Sequence, residues 1–479
     1  MAPSRSLAIH WFRRDLRILD NPSLHHASLH HAASGSGAVL PVYILSDWKG
    51  SHLWTGPKRQ SFLCGCIASL AKNLETIGGR LVIRSGSAPE ELAKLIAETG
   101  AKSLYFNRDP DPFGREVEAK VEAMAKSLGI ECRGFHDVTL HGPEEALTQE
   151  GKPYRVFTPY SRNWLNLPKP EPLPKPGNLH SPQDVKSLGL PTNAHWSLPE
   201  PEGTDWVEAG ERAAHERLKT AIGGRVQHYQ LTRDTPAEAG TSRLSQDLRF
   251  GLLSPRTIYA KAMQARATSC SKTAGEGVDT FIKELAWREF YMAILWHYPN
   301  VLHEEFSPDW RGLWWEEPGA NFEAWKEGRT GFPIIDAGMR ELLATGFMHN
   351  RLRMITAMFL TKDLHIDWRL GEQFFMQHLL DGEIASNNGG WQWSAGTGAD
   401  AAPYFRIQNP WTQAKRHDPQ ALYIKRWLPE LKDLPAAQLF APPPDGKPLV
   451  KGYPLPCVDH STERDRTLAI FKKHRAGSR

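Results

Sequence analysis

The N-terminal part of the chain repeats one pattern, in which a short apolar run is followed by a stretch with helical spacing. The runs cover residues 7–12, 38–45, 80–83 and 103–106. Between them, apolar residues recur every three or four positions, as in an amphipathic helix. This alternation of strand and helix is typical of a parallel sheet that helices cover on both faces. We therefore predict an α/β domain over residues 1–138, with a Rossmann-like parallel sheet.

The turn after the first run argues against a dinucleotide-binding dehydrogenase. It reads Arg13-Arg14-Asp15-Leu16-Arg17. A Rossmann dehydrogenase carries the glycine fingerprint G-x-G-x-x-G at this point, because glycine lets the backbone approach the pyrophosphate. The predicted sheet is therefore Rossmann-like without the dinucleotide fingerprint.

Residues 168–203 are rich in proline, which interrupts helices and central strands. We predict an interdomain linker over residues 139–206, running along the surface. From residue 207 onward helical spacing continues almost without a break, so residues 207–479 are predicted to form an all-helical domain. A chain of 479 residues exceeds one ordinary domain, which agrees with this division.

Composition limits the cofactors and the compartment. The five cysteines are scattered without zinc-type spacing, so we expect free thiols, no metal site and a reducing compartment. The chain shows no signal-peptide pattern and no run of about 18 apolar residues. We therefore expect a cytoplasmic protein that does not enter a membrane. The net charge of +4 is mild, so any contact with nucleic acid must come from a local patch.

Residues 240–245 place small hydroxyl side chains beside Arg243, ahead of a strong helix start at Ser254 and Pro255. Hydroxyls and backbone N–H groups at helix N-termini bind anions such as phosphate. The same residues also fit plain N-capping, and both interpretations are open from the local sequence. Tyr229 precedes this segment closely enough to cover the same ligand.

Glu284, Trp287 and Arg288 share one face of a predicted helix, because spacings of three and four residues bring side chains together. A carboxylate, an indole and a guanidinium on one face suit recognition of a polar planar ligand. The alternative is a solvated face on which Glu284 and Arg288 form an ion pair.

Arg351 and Arg353 fall in the first turns of a helix predicted to run from His349 to Leu364. Cations are unfavourable at the N-terminal end of a helix dipole unless an anion lies there. We therefore expect each arginine to have a carboxylate or phosphate partner. His349 suits a structural role as well as a functional one.

Residues 381–393 combine two carboxylates, paired asparagines, paired glycines and two tryptophans. Glycines allow close backbone approach, and asparagine offers both donors and acceptors. On a helix, Trp391 and Trp393 project about 160° apart, so one can face the core and the other a cavity or solvent. The chain holds 17 tryptophans, and most are expected to pack in the core.

Together these segments resemble the DNA photolyase and cryptochrome flavoproteins, and most closely the bacterial cyclobutane pyrimidine dimer photolyases. The resemblance extends to about residue 431 and is carried by residues 11–17, 240–245, 287–291, 349–354 and 387–393. It implies an N-terminal antenna domain and a helical domain that binds FAD. It also implies deoxyribodipyrimidine photo-lyase activity, in which photoexcited reduced FAD gives an electron to a dimer flipped out of damaged DNA.

The resemblance implies a set of FAD contacts. Arg353 is expected to pair with Asp381. Asn387 is expected to face flavin N5, where an amide favours the anionic reduced flavin. Glu383 departs from the family, whose closest members usually carry Asp there. The residues expected to bind FAD are Tyr229, Thr241, Ser242, Arg243, Leu244, Ser245, Phe281, Arg353, Asp381, Gly382, Glu383 and Asn387.

The resemblance also implies a lesion site and an electron path. Trp287 and Trp393 are expected to face the dimer, Glu284 to hydrogen-bond it and Met354 to pack against it. With Asn387, these four form the predicted catalytic set. Electrons are expected to reach the flavin through Trp391, Trp368 and Trp315. The predicted DNA contacts are Arg233, Glu284, Trp287, Arg288, Asn350, Arg351 and Gln413.

Three other functions stay open. A (6-4) photoproduct photolyase is expected to carry a second lesion-site histidine where this chain has Met354. A cryptochrome photoreceptor more often has a long C-terminal extension and a residue other than Asn387. A flavin electron-transfer protein without DNA contact leaves the surface of Arg351, Trp287 and Trp393 unexplained.

The family also implies a second, light-harvesting chromophore, either a deazaflavin or methenyltetrahydrofolate. Residues 105–115 lie at the strand end that binds the antenna in the family, and Pro-Phe-Gly-Arg at 112–115 favours a deazaflavin. The partner is expected to be damaged DNA. The protein is expected to be a monomer and, in a bacterium, to associate with the nucleoid.

Overall fold

The computed structural model describes residues 7–33, 37–201 and 207–477. Its N-terminal unit is a parallel sheet with strand order β3-β2-β1-β4-β5. The strands are β1 (Leu7–Phe12), β2 (Ala38–Leu45), β3 (Val82–Ser85), β4 (Ser103–Asn107) and β5 (Glu131–Phe135). The first four confirm the predicted apolar runs. Strand β5 is absent from those runs because it is a half-buried edge strand in which charged residues interrupt the apolar ones.

Strand β1 shows that both faces of the sheet are covered. Leu7, Ile9 and Trp11 belong to one hydrophobic cluster, and Ala8 and Phe12 to another. Successive side chains of a strand point to opposite faces, so β1 contributes to two cores. The helices between the strands are α1 (Pro22–Ala33), α2 (Pro57–Glu75), α3 (Ala88–Thr99) and α4 (Pro112–Ser127). The predicted α/β class is confirmed.

The segment predicted as a linker contains a helix, α5 (Phe157–Asn166). The rest of its described residues, 139–201, form turns and irregular structure, apart from a 3-10 turn at Asn193–Trp196. Leu179 joins this segment to the α/β unit, because its backbone exchanges hydrogen bonds with Ile77 and Val39. Residues 202–206, where the predicted linker ends, lie outside the described residues.

The C-terminal unit is helical, and its described residues contain no strand. Its helices are α6 (Glu211–Gly223), α7 (Tyr229–Thr232), α8 (Ser245–Arg249), α9 (Pro255–Ala267), α10 (Lys272–His297), α11 (Ala320–Glu327), α12 (Pro333–Thr345), α13 (Asn350–Lys362), α14 (Trp368–His378), α15 (Ile384–Ala395), α16 (Pro410–His417), α17 (Leu422–Trp427) and α18 (His460–Gly477). Helix α10 is the longest of these. It packs against α5, α7, α9 and α15 and so lies at the centre of the unit.

Buried ion pairs join the two units. Asp137, after β5, accepts hydrogen bonds from Arg17 at 2.5 Å and from Arg256 of α9 at 2.6 Å. Arg256 also donates to Asp20 at 2.9 Å. None of these four side chains is more than 5% exposed. Burial of the charges is tolerated because each has an opposite partner.

Polar side chains fill the crevice between β1 and β4, where the strand order reverses. Ligands of open α/β sheets usually bind at such a point. Here Asn107 donates to Asp15 at 2.7 Å and to Asn21 at 2.8 Å, and Arg14 donates to Asp109 at 2.7 Å. These side chains therefore occupy the place where a dehydrogenase would hold its dinucleotide.

Candidate functional site

Residues 240–245 form an irregular turn that leads into α8. Arg243 has a left-handed backbone conformation, with φ of 57°, and its guanidinium lies 3.4 Å from the centroid of the Phe347 ring. Among the described residues this guanidinium has no ion pair and donates no hydrogen bond, and the hydroxyls of Thr241 and Ser242 have no partner either. A half-buried cation without a carboxylate is suited to an anionic ligand such as phosphate.

The predicted pair of Arg353 and Asp381 is present. Arg353 Nη2 lies 3.0 and 2.8 Å from the two carboxylate oxygens of Asp381. Burial by itself would raise the pKa of Asp381, but Arg353 and the Ser245 hydroxyl hold it below its usual value. Arg351 pairs with Asp234 in the same way, at 2.6 Å. Both arginines at the start of α13 therefore have the anionic partners that the helix dipole requires.

Three arginines surround the turn formed by residues 381–383. Arg249 Nε donates to the Gly382 carbonyl at 2.8 Å, and Arg14 Nη2 lies 3.6 Å from the Glu383 carboxylate. A Cβ on Gly382 would lie 2.3 Å from Arg59 Nη2, so a larger residue would require the Arg59 guanidinium to move. Glu383 also accepts the Ser386 N–H at 2.9 Å and so caps α15. Its extra methylene, compared with Asp, is compatible with both contacts.

The side-chain carbonyl oxygen of Asn387, on α15, accepts no hydrogen bond from the described residues. Its Nδ2 donates to the backbone oxygen of Glu372 at 3.0 Å. Burial raises the pKa of the Glu372 carboxyl to about 8, and its Oε1 has no hydrogen-bond partner among the described residues. One turn beyond Asn387, a Cβ on Gly390 would meet nothing within 4 Å. Unpartnered polar atoms beside open space fit the polar edge of a flavin ring.

A chain of contacts joins α7, α10 and α13. Arg233, directly after α7, donates to Glu284 on α10. Asp234 accepts from Arg351 at 2.6 Å and lies 3.9 Å from Arg233 Nε. Arg351 Nη1 also approaches the Met354 sulfur at 3.9 Å. These contacts bring four residues that were predicted to bind the lesion or DNA into one partly exposed site. The four are Arg233, Glu284, Arg351 and Met354.

Trp287 and Trp393 lie on adjoining helices, since α10 packs against α15. The Trp287 ring stacks on Phe157, with centroids 3.6 Å apart and planes 9° from parallel. Phe157 belongs to the predicted linker, which therefore covers one face of the indole. Trp393 is half-buried, whereas Trp391 is buried, as their opposite projections predict.

Arg288 contacts a different part of the molecule from Glu284. Its Nη1 donates to the Val138 carbonyl at 2.7 Å, and its charged neighbours include Glu383 and Arg14. These contacts direct it toward the junction with the α/β unit, and they lend no support to the predicted DNA contact. The ion pair between Glu284 and Arg288, considered as the alternative, is also absent from these contacts.

The remaining residues singled out from the sequence differ in contacts and burial. Tyr229 meets Phe281 edge to face, with ring centroids 5.7 Å apart. His349 caps α13 by accepting a backbone N–H at Nδ1, which is a structural role. Asn350 is exposed on the first turn of α13, and Gln413 is half-buried on α16. Leu244 is buried.

Three predicted electron carriers form a series from the core outward. A Cβ on Gly371 would lie 2.2 Å from the Trp391 ring, so Trp391 packs directly on α14. Trp368 begins α14, one turn before Gly371, and both tryptophans are at most 2% exposed. A β-bridge pairs Ile366 with the residue after Trp315. This bridge sets the half-buried Trp315 beside the start of α14.

Sequence reasoning missed Asp234, Phe157 and Glu372. Asp234 directly follows Arg233, and a carboxylate beside a predicted DNA-binding arginine is a signal that could have found it. Phe157 lies in a predicted linker, and Glu372 lies in an ordinary amphipathic helix. Nothing in the local sequence distinguishes these two, because their importance comes from partners on other elements.

Within the part of the chain that the structure describes, no group of three or more His, Cys, Asp or Glu side chains could hold a metal ion. Across those same residues, no helix combines the length and apolar character needed to cross a membrane.

The chain matches two family models. Residues 8–177 match DNA photolyase, and residues 281–473 match the FAD binding domain of DNA photolyase. The predicted FAD cofactor is thus confirmed. A deoxyribodipyrimidine photo-lyase of Synechococcus sp. is 39% identical over 478 residues, which cover 97% of this chain and 96% of the relative.

Two solved structures share the whole architecture. A bacterial class III photolyase from Agrobacterium tumefaciens superposes with a TM-score of 0.90 at 36% identity, over 99% of each chain. A cryptochrome of Synechocystis sp. PCC6803 gives a TM-score of 0.86 at 30% identity, over 98% of this chain and 100% of the other. The α/β unit and the helical unit are therefore both common to these proteins.

Proposed function

The chain belongs to the DNA photolyase family, and on this premise we propose that it uses light to repair cyclobutane pyrimidine dimers in DNA. The observation that carries this proposal is the contact chain Glu284–Arg233–Asp234–Arg351–Met354. It gathers residues suited to DNA phosphate and residues suited to the dimer at one partly exposed site. A flavin protein without a DNA substrate has no use for this arrangement.

Helix α15 links the proposed flavin site to the proposed lesion site, because it carries both Asn387 and Trp393. Arg243 is suited to a phosphate of FAD, and the pair of Arg353 and Asp381 fixes the turn before α15. Reduced FAD, when bound and excited by light, supplies the electron that opens the cyclobutane bonds. The chain's own residues bind and orient the two reactants.

The lesion site must offset the cost of removing the dimer from the duplex. Photolyases are among the enzymes that flip their target base out, at a cost of a few kcal/mol. Stacking on an aromatic side chain returns about 1 to 3 kcal/mol per base, so Trp287 and Trp393 can offset this cost. Burial raises the pKa of Glu284, although Arg233 opposes it. Its carboxyl is therefore easier to protonate than an exposed one, as a donor to a pyrimidine carbonyl must be.

We propose that Arg233, Asn350, Arg351 and Gln413 contact the DNA backbone around the flipped dimer. Contacts to phosphate position the duplex and carry little sequence information. This agrees with a substrate that is defined by damage and not by sequence. Arg288 is left out of this set because of its contact with Val138.

Illumination of the reduced protein with a dimer-containing oligonucleotide tests the proposal. We expect the absorbance of the intact pyrimidines to return, with no change in the dark or with undamaged DNA. A parallel substrate with a (6-4) photoproduct should stay unrepaired. Absence of repair of both lesions would overturn the proposal. It would favour a cryptochrome photoreceptor, the second candidate, which the likeness to the Synechocystis protein supports.

We also propose that Trp391, Trp368 and Trp315 carry electrons between the surface and the flavin. Trp391 and Trp368 are buried and Trp315 is half-buried, which supports Trp315 as the outermost of the three. Trp315→Phe should slow photoreduction of the flavin, measured by absorbance, while chemically pre-reduced protein still repairs. The matched control is Trp314→Phe, which removes an exposed neighbouring indole. Loss of repair by the pre-reduced Trp315 variant would contradict this separation of roles.

We propose that the α/β unit holds a second chromophore. In residues 105–115, Asp109 is already paired with Arg14, and Arg108 with Glu122. These charged side chains are therefore already paired within the protein. They favour neither a deazaflavin nor methenyltetrahydrofolate as the second chromophore. Absorbance and mass spectrometry of the supernatant after denaturation would identify a retained chromophore. The monomeric state and the cytoplasmic, nucleoid-associated location stay predictions.

A further inference from the structure

Asp234 lies between two arginines that the proposed function assigns to DNA. Its Oδ1 is 2.6 Å from Arg351 Nη2 and 3.9 Å from Arg233 Nε. Its backbone carbonyl accepts a hydrogen bond from His417 Nδ1 at 3.0 Å, which fixes the start of the loop after α7. The Asp234 side chain is 46% exposed, so this carboxylate belongs to the same surface as the arginines.

A carboxylate on a surface that must receive phosphates opposes binding. Burial would raise the pKa of Asp234, but Arg351 and then Arg233 hold it below its usual value, so the group is ionised at neutral pH. A DNA phosphate that binds Arg351 must therefore compete with Asp234 for the same guanidinium. The competition applies to any duplex, damaged or not, because every duplex offers phosphates.

The same carboxylate also helps to shape the lesion site. Arg351 is held between Asp234 on one side and the Met354 sulfur, 3.9 Å from Nη1, on the other. Arg233 in turn holds Glu284, the group proposed to bond the damaged pyrimidine. A flipped dimer can gain contacts with Glu284 and Met354 that an undamaged duplex cannot reach. It can therefore overcome a repulsion that weakens binding of undamaged DNA.

We propose that Asp234 is a specificity-determining residue, which weakens binding to undamaged DNA and positions Arg351 for damaged DNA. The proposal rests on the proposed DNA-repair function. It assigns to one carboxylate the two requirements of selective binding, a repulsive contact with the wrong substrate and a positioned contact for the right one.

The test compares Asp234→Asn with wild type in binding to the same duplex with and without one pyrimidine dimer, over a series of salt concentrations. We expect Asp234→Asn to bind the undamaged duplex about twofold to fivefold more tightly, as for release of one partly exposed ion pair. The ratio of damaged to undamaged affinity should fall. For the undamaged duplex, the slope of log affinity against log salt should steepen by about 0.9, one phosphate contact.

Two further variants keep the test specific. Asp234→Glu retains the charge and should restore most of the ratio. Glu238→Gln removes an exposed carboxylate four residues later, whose side chain has no partner among the described residues, and should leave the ratio unchanged. FAD absorbance should be equal in all variants, which shows that the fold is intact.

The outcomes separate the inference from the proposed function. The inference would be overturned if the ratio of damaged to undamaged affinity were unchanged in Asp234→Asn. It would also be overturned if this ratio fell equally in Glu238→Gln. Loss of binding to damaged DNA without a gain for undamaged DNA would also overturn it, by assigning Asp234 a structural role alone. If wild type itself fails to distinguish the two duplexes, the proposed function fails first.

Discussion

Two groups of charged and polar residues in this molecule use the same chemistry toward different ends. The closed network consists of Arg17, Asp20, Asp137 and Arg256, at the junction of the two units. The open site consists of Arg243, Glu372, Asn387 and Gly390, within the helical unit. In the closed network, each side chain has an opposite charge within 2.9 Å. In the open site, Glu372 Oε1 has no hydrogen-bond partner among the described residues, and a Cβ on Gly390 would meet nothing within 4 Å.

This difference separates assembly from binding. A buried charge without a partner costs several kcal/mol, so a protein keeps one only where something else supplies the partner. The closed network is complete within the chain, and its role is to hold α9 against the edge of the sheet. The open site has polar atoms that the described residues leave without a partner, and we propose that FAD binds there. Mutations in the two groups should therefore separate stability from ligand binding.

The largest effect is expected in the closed network. Asp137→Ala leaves the guanidinium groups of Arg17 and Arg256 with one partner fewer in a buried position. Removal of one partner from a buried ion pair typically costs about 3 to 5 kcal/mol. We expect a loss of that order in the free energy of unfolding, measured by urea titration of the FAD-loaded protein.

The control is Arg212→Ala on α6, which breaks an exposed ion pair with Glu208, just before this helix. Exposed pairs contribute little, so its unfolding midpoint should match that of wild type. If Asp137→Ala unfolds at the same urea concentration as Arg212→Ala, the closed network does not hold the units together.

A smaller effect, on FAD binding and not on folding, is expected in the open site. Arg243→Ala removes a guanidinium that forms no ion pair with the described part of the chain. One hydrogen bond to a charged group contributes about 1.5 to 3 kcal/mol, so FAD affinity should fall about 10-fold to 100-fold. Retained FAD after gel filtration, followed by absorbance, measures the loss.

Arg243→Lys keeps the charge and should retain more FAD than the alanine variant. The unfolding midpoint of the FAD-free protein should be the same for both variants and wild type. A variant that keeps its FAD but unfolds at a lower urea concentration would show that Arg243 supports the fold. The proposed separation between stability in the closed network and ligand binding in the open site would then be wrong.

The sequence predicted the closed network less well than the open site. Four strands were predicted because their apolar runs are buried on both faces, and such runs are distinctive. The partners of Arg17 and Arg256 could not be predicted, because they depend on how two units pack. Arg288 shows the same limit. Its position on a helix was predicted correctly, but its contact is with Val138 of the other unit and not with the partners of Glu284.

The open site was easier to predict because its segments are unusual by themselves. Paired glycines and asparagines, and arginines at a helix start, are uncommon unless something binds there. The pair of Arg353 and Asp381 was expected from the resemblance and is present. Glu372 was missed because only its burial in the folded chain makes it notable.

The smallest expected effect is a change in how the free energy of unfolding depends on pH, and it comes from Glu372. Burial raises the pKa of its carboxyl from an ordinary 4.5 to about 8, although Asn388 and Arg369 oppose this. Between these values the folded state holds a proton that the unfolded state has released. Stability should therefore be complete below about pH 4.5 and fall as the pH rises toward 8, by at most about 1.4 kcal/mol per pH unit.

Glu372→Gln removes this titration, so the difference in unfolding free energy between wild type and variant should change steadily from pH 5 to pH 8. The matched control is Glu327→Gln, an exposed carboxylate on α11, which should keep the wild-type profile. This pH dependence is expected only if the Glu372 carboxyl lacks a cationic partner. A carboxylate of the closed network, in contrast, is paired with an arginine. If wild type and Glu372→Gln share one pH profile, Glu372 is already partnered and the site is not open at that point.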